Sequence, residues 1–167
     1  MYRFKQFVYY LVSWFEKIDD EFLNYYLNNE EKRIFNKLLK TERQHSIRVA
    51  KKSLEVMDIF KIENFEEFEV VKMCLLHDVG KIHSKINLFL KPFIVLIRSN
   101  KRFRKLVFFL DKQRVYKYYK HSKYSFDMLK TLNFSFQILN SIRHHHSSRN
   151  VENDKYTKIL KYCDGVS

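Results

Sequence analysis

The stretch Leu75-Leu76-His77-Asp78-Val79-Gly80-Lys81 organises the sequence. An apolar run carries an adjacent histidine and aspartate to its end, and a helix-breaking glycine and a lysine follow. Adjacent side chains on a helix point about 100° apart, so two consecutive residues rarely reach one small ligand unless it lies at a helix end. A metal ion there can take an imidazole nitrogen and a carboxylate oxygen. A His-Asp dipeptide alone is a weak signal, so the rest of the chain decides its meaning.

The composition favours a single helical domain. The chain has 167 residues, of which 46% are hydrophobic, with only two glycines and one proline. This length suits one sizeable core, and two glycines leave little room for the turns of a many-stranded sheet. We therefore predict an all-α, single-domain helical bundle. Residues 1–40 form N-terminal helices packing on the core, and 41–167 form the domain that carries the candidate site residues.

The formal net charge of +13 admits several partners. Nucleic acid, a membrane surface or anionic small molecules would each suit such a charge. A composition drifting with a skewed genome is an equally good explanation, because the basic residues are spread along the chain. The basic segment 98–105 could contact nucleic acid or a membrane, although such a run is more often a solvated helix face.

The sequence predicts no stable membrane insertion and a cytoplasmic location. The longest apolar stretch, 86–97, is interrupted by polar residues and is shorter than the roughly 20 residues of a membrane span. No secretory signal is evident. Cys74 and Cys163 lie in apolar runs without metal-binding spacing, which is typical of buried thiols in an intracellular protein.

Apolar residues recurring every three or four positions predict a series of helices. Their predicted ranges are 2–17, a short helix beginning at Asp19-Asp20, 29–40, 41–60, 64–78, a helix reaching about Leu132 after His121, 134–146 and 155–163. Thr41 and Gln44 have the spacing of a capping box at the start of the fourth helix. Asp164 and Gly165 are expected to end the last one.

Four further positions join His77 and Asp78 as candidate metal ligands. They are His45, His121, His145 and Asp164. Within the run 144–146, His145 follows the stripe of Ile138 and Ile142, His144 should point away, and His146 is the second candidate. A lone histidine is more often a surface or core residue than a ligand, so the constellation carries the argument.

Four imidazoles and two carboxylates suit a dinuclear centre better than one tetrahedral site. Such N/O ligand sets bind Fe, Mn, Co, Ni or Zn. Asp78 could bridge two ions, which together assist phosphoryl displacement. Lys81 and Arg48 are cations near the ligands in sequence and could neutralise phosphate oxygens, although both could equally face solvent.

The motifs resemble the HD-domain metal-dependent phosphohydrolases. The matching pieces, which together cover roughly 41–167, are His45-Ser-Ile-Arg-Val-Ala50, Leu75-Leu-His-Asp-Val-Gly-Lys81 and Ile159-Leu-Lys-Tyr-Cys-Asp164. His121 and the run 142–146 are similar to the two additional histidines of members that hold two metals. The nearest resemblance is to short bacterial HD proteins, including those that cleave dinucleoside polyphosphates symmetrically. No Gly-Tyr-Pro follows the histidine run, so the cyclic-dinucleotide phosphodiesterase branch is not supported.

The resemblance implies a helical bundle with a His/Asp metal centre that hydrolyses phosphate esters or anhydrides, often of nucleotides, with metal-activated water. We accordingly expect a phosphohydrolase whose catalytic residues include Asp78, Lys81 and Arg48 and whose cofactor is a pair of divalent transition-metal ions. The alternative is a non-catalytic helical module that binds a nucleotide or docks on a polyanion through 98–105.

Overall fold

The computed structural model describes residues 15–84, 112–147 and 154–167. Within these ranges every element is a helix and there is no strand, which confirms the predicted all-α class. The α-helices are α1 (Asp20–Tyr26), α2 (Asn29–Phe35), α3 (Lys40–Val56), α4 (Glu67–Leu76), α5 (Lys112–Tyr119), α6 (His121–Leu129), α7 (Phe136–His144) and α8 (Lys155–Val166). Short 3-10 helices cover Asp58–Phe60, Asn64–Glu66 and Val79–Ser84.

Helix α4 lies at the centre of the described bundle. It packs along α3 on one side and also contacts α7 and α8. Its buried residues include Val70, Met73, Leu75 and Leu76, all fully shielded from solvent. A helix that is apolar around most of its circumference is expected in the middle of a bundle. The motif 75–81 therefore leaves the most buried helix of the described fold at the point where the other helices converge.

The short helices α1 and α2 are anchored on α4 by polar contacts. The side chain of Asn28 caps α2 and forms a reciprocal capping box with Glu31. Glu31, almost fully buried, pairs with Lys72 of α4 at 2.5 Å. The hydroxyl of Tyr26 donates to Glu67, also on α4, over 2.8 Å. These contacts link residues 20–35 to the helix that leads into His77.

The predicted capping box at Thr41 is wrong. Helix α3 begins one residue earlier, at Lys40, and its N-cap Leu39 makes no side-chain capping bond. Thr41 is buried inside the first turn instead of capping it. Tertiary packing overrides the local capping preference here, because Thr41 is buried at 3% exposure.

Several predicted helix ends also differ from the structure. The segment predicted as 41–60 is α3 followed by the 3-10 helix Asp58–Phe60, and 64–78 is the 3-10 helix Asn64–Glu66 followed by α4. The helix predicted over 29–40 ends at Phe35. Helix α8 continues through Asp164 and Gly165 to Val166, so these residues do not end it.

Part of the prediction lies outside the described residues. This applies to nearly all of the helix at 2–17, to the apolar stretch 86–97 and to the basic segment 98–105. Among the helices of the described ranges, none has both the length and the hydrophobicity that crossing a membrane demands.

Candidate metal centre

The six predicted ligands come together although they lie on five helical segments. Three of them lie at helix ends. His77 is the C-cap residue of α4, Asp78 comes directly after it, and His121 is the first residue of α6. The others are His45 on α3, His145 at the C-cap of α7 and Asp164 on α8. The chain thus gathers residues that are up to 119 positions apart around one point.

Three histidines have their ring orientation fixed by their own backbone. Nδ1 of His77, His121 and His145 lies 2.8, 2.5 and 2.6 Å from the carbonyl oxygen three residues earlier. A carbonyl oxygen can only accept, so Nδ1 carries the proton in each hydrogen bond. In the neutral ring, Nε2 then presents its lone pair to the interior of the cluster. This backbone support is typical of metal-ligating histidines.

The carboxylate of Asp78 lies between two sets of imidazoles and is 1% exposed. Oδ1 lies 3.0 Å from Nε2 of His121 and 4.0 Å from Nε2 of His145. Oδ2 lies 3.4 Å from Nε2 of His77 and 3.9 Å from Nε2 of His45. One carboxylate therefore offers a separate oxygen to each pair of histidines, which is the arrangement that a bridging ligand requires.

Asp164 lies beside the two histidines that face Oδ2 of Asp78. Its Oδ1 lies 2.9 Å from Nε2 of His45 and 3.6 Å from Nε2 of His77. His146 approaches from the exposed side, with Nε2 3.0 Å from Nε2 of His121. The side chain of His146 is 37% exposed, whereas His77 and His145 are completely covered. His146 is thus more exposed than the other side chains of the cluster, among which His45 and Asp164 are each 19% exposed.

These donors fit divalent metal ions. Three groups have ligand atoms within 4.8 Å of one another, namely Asp78 with His121, His145 and His146, then His45 with His77 and Asp78, and then His77 with His145 and Asp164. Nε2 of His77, Nε2 of His145 and Oδ1 of Asp78 are buried and make no hydrogen bond within the described residues. Buried polar atoms are normally satisfied, and here ions would satisfy them. The Oδ1 of Asp78 and Nε2 of His121 form a close pair of acceptors, which needs a cation or a proton between them.

A comparison with protein families agrees with this geometry. A family model described as the HD domain matches residues 43–167. The chain belongs to the HD-domain family. Searches of curated proteins and of solved structures gave no significant match. The HD domain places this protein among metal-dependent hydrolases, and the resemblance seen in the sequence is confirmed.

The cluster of the six predicted ligands is called the HD centre. Burial and the neighbouring charges set the ionisation of its side chains. Burial alone would raise the pKa of Asp78, but Lys81 and the histidines hold it well below its usual range. Burial likewise opposes ionisation of Asp164, yet the neighbouring imidazoles of His45 and His77 keep its pKa well below the usual value. Both carboxylates are therefore charged at neutral pH. They are able to bind a cation without first losing a proton.

Two histidines of the HD centre are kept neutral. Burial lowers the pKa of His45, although the nearby Asp164 opposes the shift. Burial, reinforced by His146, lowers the pKa of His145 well below its usual range. Burial also disfavours the charged form of His77, but Asp78 and Asp164 outweigh it and raise the pKa of that residue. Neutral imidazole is the form that binds metal.

The two predicted cations lie at different places. The ammonium of Lys81 contacts Oδ2 of Asp78 and lies 3.3 Å from Oε2 of Glu42, so it is ion-paired and not a free cation. Arg48 lies three residues after His45 on α3, and its guanidinium is 3.8 Å from the carboxylate of Glu16. A phosphate-binding role for either residue stays a prediction.

The neighbours of the histidine run separate its three members. His145 is buried at the cluster, and His146 contacts His121. His144 turns back along α7 instead, where its Nδ1 lies 3.0 Å from the carbonyl oxygen of Asn140. The structure thus places two members at the centre and directs the third elsewhere.

Sequence reasoning missed two residues that support the centre. Glu42 is not among the predicted site residues, but it is buried and pairs with Lys81. It lies three residues before His45, so helical periodicity could have placed both on one face. Ser125 accepts a hydrogen bond from the backbone N–H of Gly80 over 2.8 Å and ties the motif to α6. No pattern in the sequence signals that long-range contact.

Proposed function

We propose that this protein is a metal-dependent phosphohydrolase that cleaves a phosphate ester or anhydride of a nucleotide or a related phosphorylated small molecule. The observation that carries the proposal is the position of Asp78. Its two carboxylate oxygens face two different pairs of histidines at 3.0–4.0 Å. A dinuclear centre bridged by this carboxylate accounts for both halves of the cluster, whereas a single ion would leave one half unused.

The proposed ligands divide between the two halves. His121 and His145 face Oδ1 of Asp78, and His45 and His77 face Oδ2. Asp164 completes the second half, and His146 is an additional ligand of the first. When bound, two divalent transition-metal ions would activate water and stabilise the attacking and leaving oxygens of a phosphoryl displacement. Asp78 and Asp164 would supply the negative charge that holds them.

Charge and access support an anionic substrate. The net charge of +13 attracts phosphorylated molecules over a longer range, and the side chain of His146 is the part of the cluster with the largest exposed fraction. We include Lys81 and Arg48 in the proposal as groups that would orient phosphate oxygens. The nucleotide itself rests on the family resemblance. The proposal also includes a cytoplasmic location and a single domain in which residues 1–40 pack on 41–167.

Metal content and phosphate release test this proposal together. Protein purified without chelator or an affinity-tag metal is analysed by elemental mass spectrometry, with Asp78→Asn beside it. The matched control is Asp127→Asn, because Asp127 is a partly exposed aspartate that pairs with Lys130 on the surface. We expect about two ions per chain in the wild type and the control, and loss of metal in Asp78→Asn.

The same three proteins are then incubated with a panel of nucleotides and phosphorylated small molecules. Phosphate or nucleotide product should form with the wild type and Asp127→Asn, and not with Asp78→Asn. Full metal content and turnover in Asp78→Asn would contradict the assigned role of Asp78. Saturable nucleotide binding without product would favour the non-catalytic module instead.

A further inference from the structure

The ion pair of Lys81 with the proposed bridging carboxylate is made through Oδ2 of Asp78. This is the oxygen that faces His45 and His77. The other oxygen, Oδ1, faces His121 and His145. The described structure thus has a protein cation at the metal-binding oxygen of one half of the cluster.

We propose that Lys81 is a displaceable cation that controls metal loading at the His45–His77 half of the centre, and that Glu42 is the positioning residue that retains its ammonium when a metal ion takes Oδ2 of Asp78. This inference rests on the metal centre of the proposed function. It adds an order of loading, because a metal ion at Oδ2 has to replace the ammonium, and one at Oδ1 does not.

The surroundings of Lys81 explain why a second carboxylate is needed. The side chain is only 12% exposed, so the ammonium lies away from bulk water. A dication and an ammonium at the same oxygen repel each other strongly in such a poorly screened place. A buried ammonium released without a partner would be costly. Displacement therefore requires an acceptor within reach of the same side chain.

Glu42 provides that acceptor. Its carboxylate is 5% exposed and Oε2 already lies 3.3 Å from Nζ of Lys81. The ring of Tyr118, whose centroid is 5.6 Å from Nζ, offers a further favourable contact for the ammonium. On leaving Asp78, Lys81 thus keeps a carboxylate and an aromatic face. The half of the centre formed with His121, His145 and His146 should fill first, and the half with His45 and His77 second.

The test is calorimetric titration of the metal-stripped full chain with Co²⁺. Wild type is compared with Lys81→Met, Glu42→Gln and the double variant Glu42→Gln/Lys81→Met, and the control Lys123→Met removes an exposed lysine of α6. We expect two binding steps in the wild type. Lys81→Met should tighten the weaker step by about tenfold and leave the tighter step unchanged, while Glu42→Gln should weaken the weaker step by about tenfold.

The double variant distinguishes whether Glu42 affects metal binding through Lys81 or independently of it. If Glu42 acts by retaining the ammonium, Glu42→Gln should change the weaker step by less than about threefold once Lys81 is methionine. An equal effect of Glu42→Gln in both backgrounds would overturn the positioning role. Unchanged steps in Lys81→Met would overturn the displaceable cation.

Folding checks and substitute variants distinguish a loss of metal binding from a loss of folding. Circular dichroism melting of each variant verifies folding, and Lys81→Gln and Glu42→Asp replace any variant that does not fold. Lys81→Gln should tighten the weaker step as Lys81→Met does, and its failure to do so would overturn the inference. Absence of Co²⁺ binding to the wild type would overturn both the proposed function and this inference. Two binding steps whose affinities are the same in the wild type and in the Lys81 variants would overturn this inference alone.

Discussion

A β-carbon on Gly80 would lie 2.1 Å from the backbone carbonyl oxygen of His121. It would also lie 2.5 Å from the backbone nitrogen of Ser125. Backbone atoms of a packed helix cannot move aside as a flexible side chain can. The glycine of the motif therefore serves the close approach of α6, which carries His121 to the centre. Its φ is not positive, so a left-handed conformation is not the reason for glycine here.

We expect Gly80→Ala to destabilise the protein and weaken metal binding. Overpacking against a fixed backbone costs about 1–3 kcal/mol, and His121 should move with α6. The matched control is Gly165→Ala. An added β-carbon there meets no atom within 4 Å, and alanine in helix α8 should stabilise by up to about 1 kcal/mol. Thermal unfolding and metal titration of both variants provide the measurement. Equal stability of Gly80→Ala and wild type would contradict the close-approach argument.

The neighbours of the histidine run lead to a second prediction. His145→Ala should lower metal affinity by more than about 100-fold, because loss of a ligand exceeds the 10- to 100-fold effect of losing a supporting partner. His144→Ala is the matched control and should leave affinity unchanged, since its ring turns to Asn140. Titration with Mn²⁺ or Co²⁺ measures both. Similar losses in the two variants would show that the run acts through charge or helix stability.

A third prediction concerns acid stability away from the metal centre. Glu66, which is mostly buried, accepts hydrogen bonds from Lys155 and Tyr156 and joins the start of α4 to α8. Burial opposes its ionisation, but these partners lower its pKa below the ordinary value. A glutamate whose folded pKa is depressed stabilises the protein above the unfolded pKa, near 4.3, and that stabilisation is lost as the pH falls through the folded pKa.

Glu66→Gln should therefore reduce the free energy of unfolding by about 1–2 kcal/mol at pH 7. The difference from wild type should narrow below about pH 4. Urea unfolding at several pH values measures it, and Glu69→Gln, an exposed glutamate of the adjoining helix α4, is the control. A difference that stays constant from pH 7 to pH 3 would mean that Glu66 acts without its charge.

The sequence was sufficient for the class of fold and for the identity of the converging residues. Helical periodicity placed His145 on the buried stripe and His144 off it, and the order of the histidines and aspartates carried the family resemblance. Helical periodicity is a local pattern and the motifs are short, so a single sequence is enough to display both. A metal-binding role for the converging residues stays a prediction.

Contacts across the fold could not be predicted in the same way. The place of Glu42 beside Lys81 depends on how α3 and the segment after Asp78 come together in the fold, and no local pattern encodes that contact. At Thr41 the local signal was present and packing overrode it. Helix ends and buried ion pairs depend on tertiary context, which a single sequence does not display.

The backbone support of the three histidines has a thermodynamic consequence. Each hydrogen bond reaches back only three residues, so the ring is oriented as soon as that short stretch of backbone forms. The rotational entropy of His77, His121 and His145 is then lost during folding, and little of it remains to be lost when an ion arrives. Immobilising such side chains on binding would cost about 0.5–1.5 kcal/mol each. The affinity of the centre is thus established in large part while the chain folds.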